Sequence, residues 1–160
     1  MEVDAILCNH AEAVNNLLYI SGGGIGTTHV PTNAPPPYAV TVGIALTVTV
    51  PWGQTNQQHT VEIDLVGEDG DPVELPISET ESGHLKVEMA FNVGRGPDLT
   101  PGDEQKVCLA TNLPGLPLPA FGKYEFIIRL DGHDERRLPL RIKPLAGAQM
   151  LGPGFPHGSR

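Results

Sequence analysis

Residues 40–50 read VTVGIALTVTV, and no other run constrains the chain as much. Val40, Val42, Ile44, Leu46, Val48 and Val50 alternate without a break with Thr41, Gly43, Ala45, Thr47 and Thr49. Successive side chains of an extended backbone point to opposite sides. The pattern therefore lays one aliphatic stripe on a core face and small or hydroxylated residues on the other.

Five further stretches obey the same rule. Val61, Ile63 and Leu65 alternate with Glu62 and Asp64, and Leu85, Val87, Met89, Phe91 and Val93 alternate with Lys86, Glu88 and Asn92. Val107 and Leu109 oppose Lys106 and Cys108. Tyr124, Phe126, Ile128 and Leu130 oppose Glu125 and Arg129, and Leu138, Leu140 and Ile142 oppose Arg137, Arg141 and Lys143. Asp69-Gly70 and Asp131-Gly132 supply the positive φ angles of hairpin turns and predict antiparallel neighbours. Pro101-Gly102 marks another turn. Residues 113–120, LPGLPLPA, are too rich in proline for a sheet interior and predict a loop crossing between layers. Near the N-terminus, 3–8 and 17–20 read as strands, and the connector His10–Asn16 has room for one helical turn.

Of the 160 residues, 19 are Gly and 16 are Pro, which suits many short strands joined by tight turns. The length fits one domain with a core that needs no disulfide or metal. That domain spans residues 1–143; residues 144–160 form a Pro/Gly-rich tail without periodicity, expected to be disordered. A formal charge of −9 repels phosphate backbones and anionic lipid, so neither nucleic acid nor a membrane is an expected partner. The start, MEVDAILCNH, has Glu2 and Asp4 where a secretory signal has basic residues, which points to the cytoplasm. Cys8 and Cys108 read as reduced thiols, not as a disulfide.

The run Tyr19–Gly26, YISGGGIG, invites comparison with phosphate-binding loops. It lacks the Gly-x-Gly-x-x-Gly spacing of a dinucleotide site and the Gly-Lys-Ser/Thr ending of a phosphate loop. The β-branched, proline-terminated stretch that follows is not helical. A strand, a sharp bend and a second strand account for it, and no cofactor is expected.

Catalytic sets are equally sparse. Ser21, Ser78 and Ser82 sit in no nucleophile elbow, and the carboxylates Glu79 and Glu81 lie in a polar loop. Cys8 and His10 would share one face of a strand and offer two metal ligands, but no third or fourth is paired with them in sequence. The stretch with most recognition chemistry is 51–59, PWGQTNQQH. It places Trp52 beside Gln54, Asn56, Gln57, Gln58 and His59 between two strong strands. Aromatic and amide side chains in such a loop form adaptable binding surfaces. The simpler alternative has Trp52 capping the core while the amides satisfy the loop's own backbone.

The combination LCNHAEAVNNLLYISGGGI, VPWGQTNQQHTVEIDLVGEDGDPVELP and NLPGLPLPAFGKYEFIIRLDG resembles a family of short bacterial proteins of unknown function, β-rich in character, over about residues 2–143. That resemblance implies fold and kinship and carries no catalytic residue with it. Separately, Gly122–Phe126 followed by Arg129–Gly132 is similar to the late strands of bacterial immunoglobulin-like domains. There a tyrosine in the place of Tyr124 forms a tyrosine corner. The immunoglobulin Cys and Trp hallmarks are absent.

The expectation is therefore an all-β protein: one antiparallel, immunoglobulin-like Greek-key β-sandwich of eight or nine strands. Its expected role is a non-enzymatic binding or assembly module, with a protein partner or self-association; a further reading is a self-assembling structural protein that pairs through the nearly uncharged face of 40–50. The rival is a small metal-dependent enzyme or metal-binding protein built on Cys8, His10 and a distant His59 or His84.

Overall fold

The computed structural model of the chain describes residues 1–31, 33, 35–78 and 80–145, and within them it is all-β. The strands in chain order are β1 (Glu2–Cys8), β2 (His10–Val14), β3 (Leu17–Ser21), β4 (Thr27–Pro31), β5 (Tyr38–Val50) and β6 (Gln58–Gly67). Then come β7 (Leu75–Pro76), β8 (Ser82–Gly83), β9 (Lys86–Asn92), β10 (Gln105–Leu118), β11 (Gly122–Leu130) and β12 (His133–Leu145). One 3-10 turn, Trp52–Gln54, separates β5 from β6.

Two larger sheets carry the core. One has the order β1-β5-β10, and the other, curled into a half-barrel, has the order β4-β12-β11-β6-β9. Val40, Val42, Ile44, Leu46, Val48 and Val50 all lie in one buried cluster with Val61, Ile63, Leu65, Phe126, Ile128, Leu140 and Ile142 from the facing sheet. Burial of each such side chain is worth roughly 1.5–3 kcal/mol. The core thus follows the period-two stripes of the sequence closely.

Four expectations need correction. The connector His10–Asn16 is no helical turn: β2 and β3 form a hairpin in which Val14 faces Leu17. Asn15 and Asn16, at φ 51° and 59°, take the two left-handed positions of a type I′ turn, which asparagine tolerates well. Residues 113–120 do not cross between layers as a loop, because β10 continues to Leu118 through a bulge between Leu113 and Leu116. Proline is tolerated there because β10 is an edge strand and Gly115 absorbs the bulge at φ 64°. The pairing is not wholly antiparallel, since β4 lies parallel to β12. The strands number twelve among the described residues, β2, β7 and β8 adding to the nine read from sequence. Pro144 and Leu145 end β12, while the rest of the expected tail, 146–160, lies outside the described residues.

The β2–β3 hairpin is a separate two-stranded layer lying on the thin face of β5, where Ala11 closes over Cys8 and Ala45. Two asparagines stitch it down. The Asn112 carboxamide on β10 accepts from the Ala11 amide (3.0 Å) and donates to the Ala11 carbonyl (2.8 Å). The Asn16 carboxamide donates to the Lys106 carbonyl (2.6 Å) and accepts from the Cys108 amide (2.8 Å). Each amide stands in for a length of neighbouring strand and covers part of an open edge. Gly43 makes the fit possible: a Cβ there would lie 2.8 Å from Asn112 Oδ1 and 3.2 Å from the His10 Cα.

Gly43→Ala is accordingly expected to destabilise the fold by about 1–3 kcal/mol through overpacking. Asn112→Ala is expected to cost a similar ~1–3 kcal/mol by orphaning the Ala11 backbone. Because both act on the same contact, the double variant should lose less than the sum. Urea unfolding of the four proteins checks all three statements.

Candidate functional site

The loop of residues 51–59 is largely engaged by neighbouring segments of the chain. Arg95 lies 4.3 Å over the Trp52 ring, donates to the Trp52 carbonyl at 3.0 Å and donates to Thr55 Oγ1 at 2.6 Å. Trp52 is half-buried beneath that guanidinium, an arrangement worth more as cation–π packing than as an open platform. Gln54 Oε1 accepts from the N-terminal amine at 3.4 Å, and the Asn56 amide donates to the Val93 carbonyl at 2.7 Å. Only the side chains of Asn56, Gln57 and Gln58 remain exposed.

His59 lies at the centre of a different assembly from the one its neighbours suggest. It is 4% exposed, with Nδ1 2.8 Å from Asp131 Oδ2 and Nε2 2.7 Å from the Gln54 carbonyl. Asp131 Oδ1 also accepts from the Thr60 amide at 2.9 Å. Both ring nitrogens face acceptors, so the doubly protonated imidazolium satisfies the site and a neutral ring leaves one acceptor facing a lone pair. Burial alone would push the His59 pKa down. The Gln54 carbonyl and the Asp131 carboxylate outweigh it and hold the ring above its ordinary value. Burial would likewise raise Asp131, but the Thr60 amide and His59 bring it below the usual carboxylate range. The Asp131-Gly132 turn was legible in the sequence; that its carboxylate reaches back across the sheet to β6 was not.

The sign of the pH dependence follows. The charged form of His59 is favoured in the fold, so its contribution is complete below the ordinary histidine pKa of about 6.5 and disappears as pH rises through the higher folded value. Asp131 contributes above about pH 4 and loses its contribution as pH falls through its depressed value. Unfolding free energy should decline on the alkaline side of about pH 6.5, and His59→Gln should flatten that decline relative to the parent. Urea titrations at several pH values measure it.

Cys8 and His10 do not share a face. Asn9 separates β1 from β2, Cys8 is fully buried under the hairpin, and His10 points outward beside Glu12 at 3.2 Å. Burial raises the Cys8 thiol pKa above its ordinary value. Cys8 pairs with Gly43 and Cys108 with Thr47, on opposite sides of β5. Two strand spacings of about 4.8 Å and four residues of about 3.4 Å separate them, well beyond disulfide reach. Among the described residues no three His, Cys, Asp or Glu side chains gather as a metal site. Ser78 Oγ accepts from the amides of Thr80 and Glu81, while Glu79 lies outside the described residues.

Two surfaces that the sequence did not point to stand out instead. One is the outer side of the hairpin. Residues opposite each other in the ladder share a face, so Val14, Leu17 and Tyr19 point away from the sheet with exposures of 45%, 59% and 56%. Ile20 and Ile6, at 43% and 37%, border a cleft of about 210 Å³ between β3 and the outer face of β1 and β5, with Asp4, Leu18, Ala45 and Thr47 in its lining. By ladder alternation the amide and carbonyl groups of Leu18 and Ile20 point away from β2, and among the described residues β3 has no second strand beside it.

The other is a groove of about 660 Å³ on the outer face of the five-stranded sheet. Its floor is β11 and β12, its walls the Gly67–Gly70 turn and the start of β4, and its charged lining includes Lys123, Arg137 and Arg141. No helix among the described residues is long and apolar enough to cross a membrane.

Residues 3–143 match a family of unknown function, DUF6941, and the chain belongs to that family. A search of curated proteins returned no match.

Proposed function

We propose that this DUF6941 member is a non-enzymatic assembly module that pairs with a second copy of itself along the free edge of β3. The observation that carries the reading is that edge: an uncharged LLYIS strand whose Leu18 and Ile20 backbone groups have no neighbouring strand among the described residues, with Leu17, Tyr19 and Ile20 exposed. Exposed apolar edges of this kind are what sheet proteins ordinarily blunt with lysine, proline or a covering loop. The cleft beside β3 leaves space for an incoming strand above Ile6 and Thr47, where it would extend the hairpin layer across the sheet below.

Charge permits a second copy as occupant at this edge. The chain carries −9 overall and two molecules repel at most approaches. From Ala13 to Val61, however, the sequence has no Asp, Glu, Lys or Arg, so β3 itself sets no carboxylate against its copy, and Asp4 in the cleft lining is paired with Arg136 at 3.3 Å. The thin face of β5 is a weaker candidate for self-association, because Gly43 and Ala45 are covered by the chain's own hairpin.

For the scaffold, the immunoglobulin-like Greek key remains our finer reading. β10 returns to lie beside β5 after β6 and β9 have formed part of the other sheet. The Tyr124 hydroxyl donates to the Ala120 carbonyl at 2.7 Å, which is the contact of a tyrosine corner. A reducing compartment such as the cytoplasm suits two thiols that β5 holds apart.

Light scattering should give an average mass that climbs toward twice the monomer as the protein is concentrated to about 1 mM. Ile20→Pro removes an outward amide without touching the β2 ladder, and Leu17→Glu places mutually repelling carboxylates on the exposed face; each is expected to hold the protein monomeric. A parent protein that stays monomeric throughout, or variants that associate as the parent does, would overturn the reading.

A further inference from the structure

The groove on the five-stranded sheet lies on a different sheet from β3 and has its own charge arrangement. Lys123 and Arg141 are direct cross-strand partners on β11 and β12, so two cations stand side by side on one face. Like charges directly opposed on a sheet are unfavourable, and here they occur in a strongly acidic chain. The surrounding carboxylates resolve the conflict only in part. Glu125 and Asp134 pair with Arg137 at 3.5 and 3.2 Å, and Asp69 Oδ1 turns back to the Asp71 amide at 3.3 Å. Glu68 pairs with Lys123, and that contact depresses its pKa, with Arg141 adding a smaller through-space pull. Arg141 itself makes no ion pair among the described residues and is exposed in the groove.

We propose that this groove binds a small ligand through an oxyanionic group, a carboxylate or phosphate, held between Arg141 and Lys123. The Arg141 guanidinium presents a planar fork that two oxygens of one anion can accept from, while the Lys123 ammonium supplies a point charge beside it. Glu68 is 65% exposed, and an exposed pair of this kind is weak, so an entering anion can take its place on Lys123. Pro139 and Leu140 add apolar lining, and the volume is that of a small-molecule site. Gly26 on the wall leaves the approach open, since nothing lies within 4 Å of the Cβ that another residue would add.

Calorimetric titration at fixed ionic strength, with inorganic phosphate in one arm and citrate in the other, tests the proposal and separates the two chemistries. Saturable binding of at least one probe is expected below about 10 mM, weakened about tenfold or more by Arg141→Gln. Gly26→Glu, which sets a competing carboxylate in the groove without altering either cation, should weaken it as well. Arg137→Gln should change it little, because that guanidinium is already engaged by Glu125 and Asp134. Thermal melts establish that each variant is folded. Absence of saturable binding for both probes, or binding unchanged in Arg141→Gln and Gly26→Glu, would overturn the site whatever the oligomeric state proves to be.

Discussion

Burial of β5 on both of its faces is the constraint from which the rest of the molecule follows. Its aliphatic face closes the core against β6, β11 and β12, as a stripe of Val, Ile and Leu must. Its other face is too thin to fill space alone. Gly43 and Ala45 leave a shallow bed, and the β2–β3 hairpin settles into it with Ala11 against Ala45 and Cys8. The surface proposed for assembly exists because of that second burial. A bulkier residue at 43 would lift the hairpin, and with it the edge that β3 presents.

The two asparagine clamps show how a small polar device can anchor an element that buries little apolar area. The hairpin contributes few core residues, so its position depends on four hydrogen bonds directed at backbone groups that would otherwise lie open along β2 and β10. These bonds protect two edges and leave a third, that of β3, unguarded. On the opposite sheet most charges are paired across strands, Arg129 with Asp64 and Asp134, and Arg137 with Glu125. Among the described residues Arg141, like Lys143 on the same strand, departs from that pattern, and it lines the groove of about 660 Å³.

The sequence made the core legible because period-two alternation is a direct projection of strand geometry: Val40 to Val50, Val61 to Leu65 and Tyr124 to Leu130 all point where their spacing says. The Tyr124 hydroxyl contact was also within reach, since it is local to one strand start. What escaped was of two kinds. Asn15-Asn16 is a turn signal masked by the helix-forming Ala-Glu-Ala that precedes it, and the Pro-Gly bulge in β10 reads as a break because its edge position is a property of the whole sheet. The surfaces escaped for a deeper reason. Lys123 meets Arg141, and His59 meets Asp131, through pairings remote in sequence, which alternation within a single strand does not encode. The aromatic and amide loop was conspicuous in composition, yet Arg95, forty residues away, occupies its tryptophan.

Amide hydrogen exchange resolved by residue and followed against protein concentration tests the central claim most directly. In dilute protein the Leu17 and Tyr19 amides, bonded to β2, should exchange slowly, while those of Leu18 and Ile20 exchange freely; on concentration, Leu18 and Ile20 alone in β3 should become protected. Leu18 and Ile20 amides that are already protected in the dilute monomer, or that stay unprotected at every concentration, would contradict it.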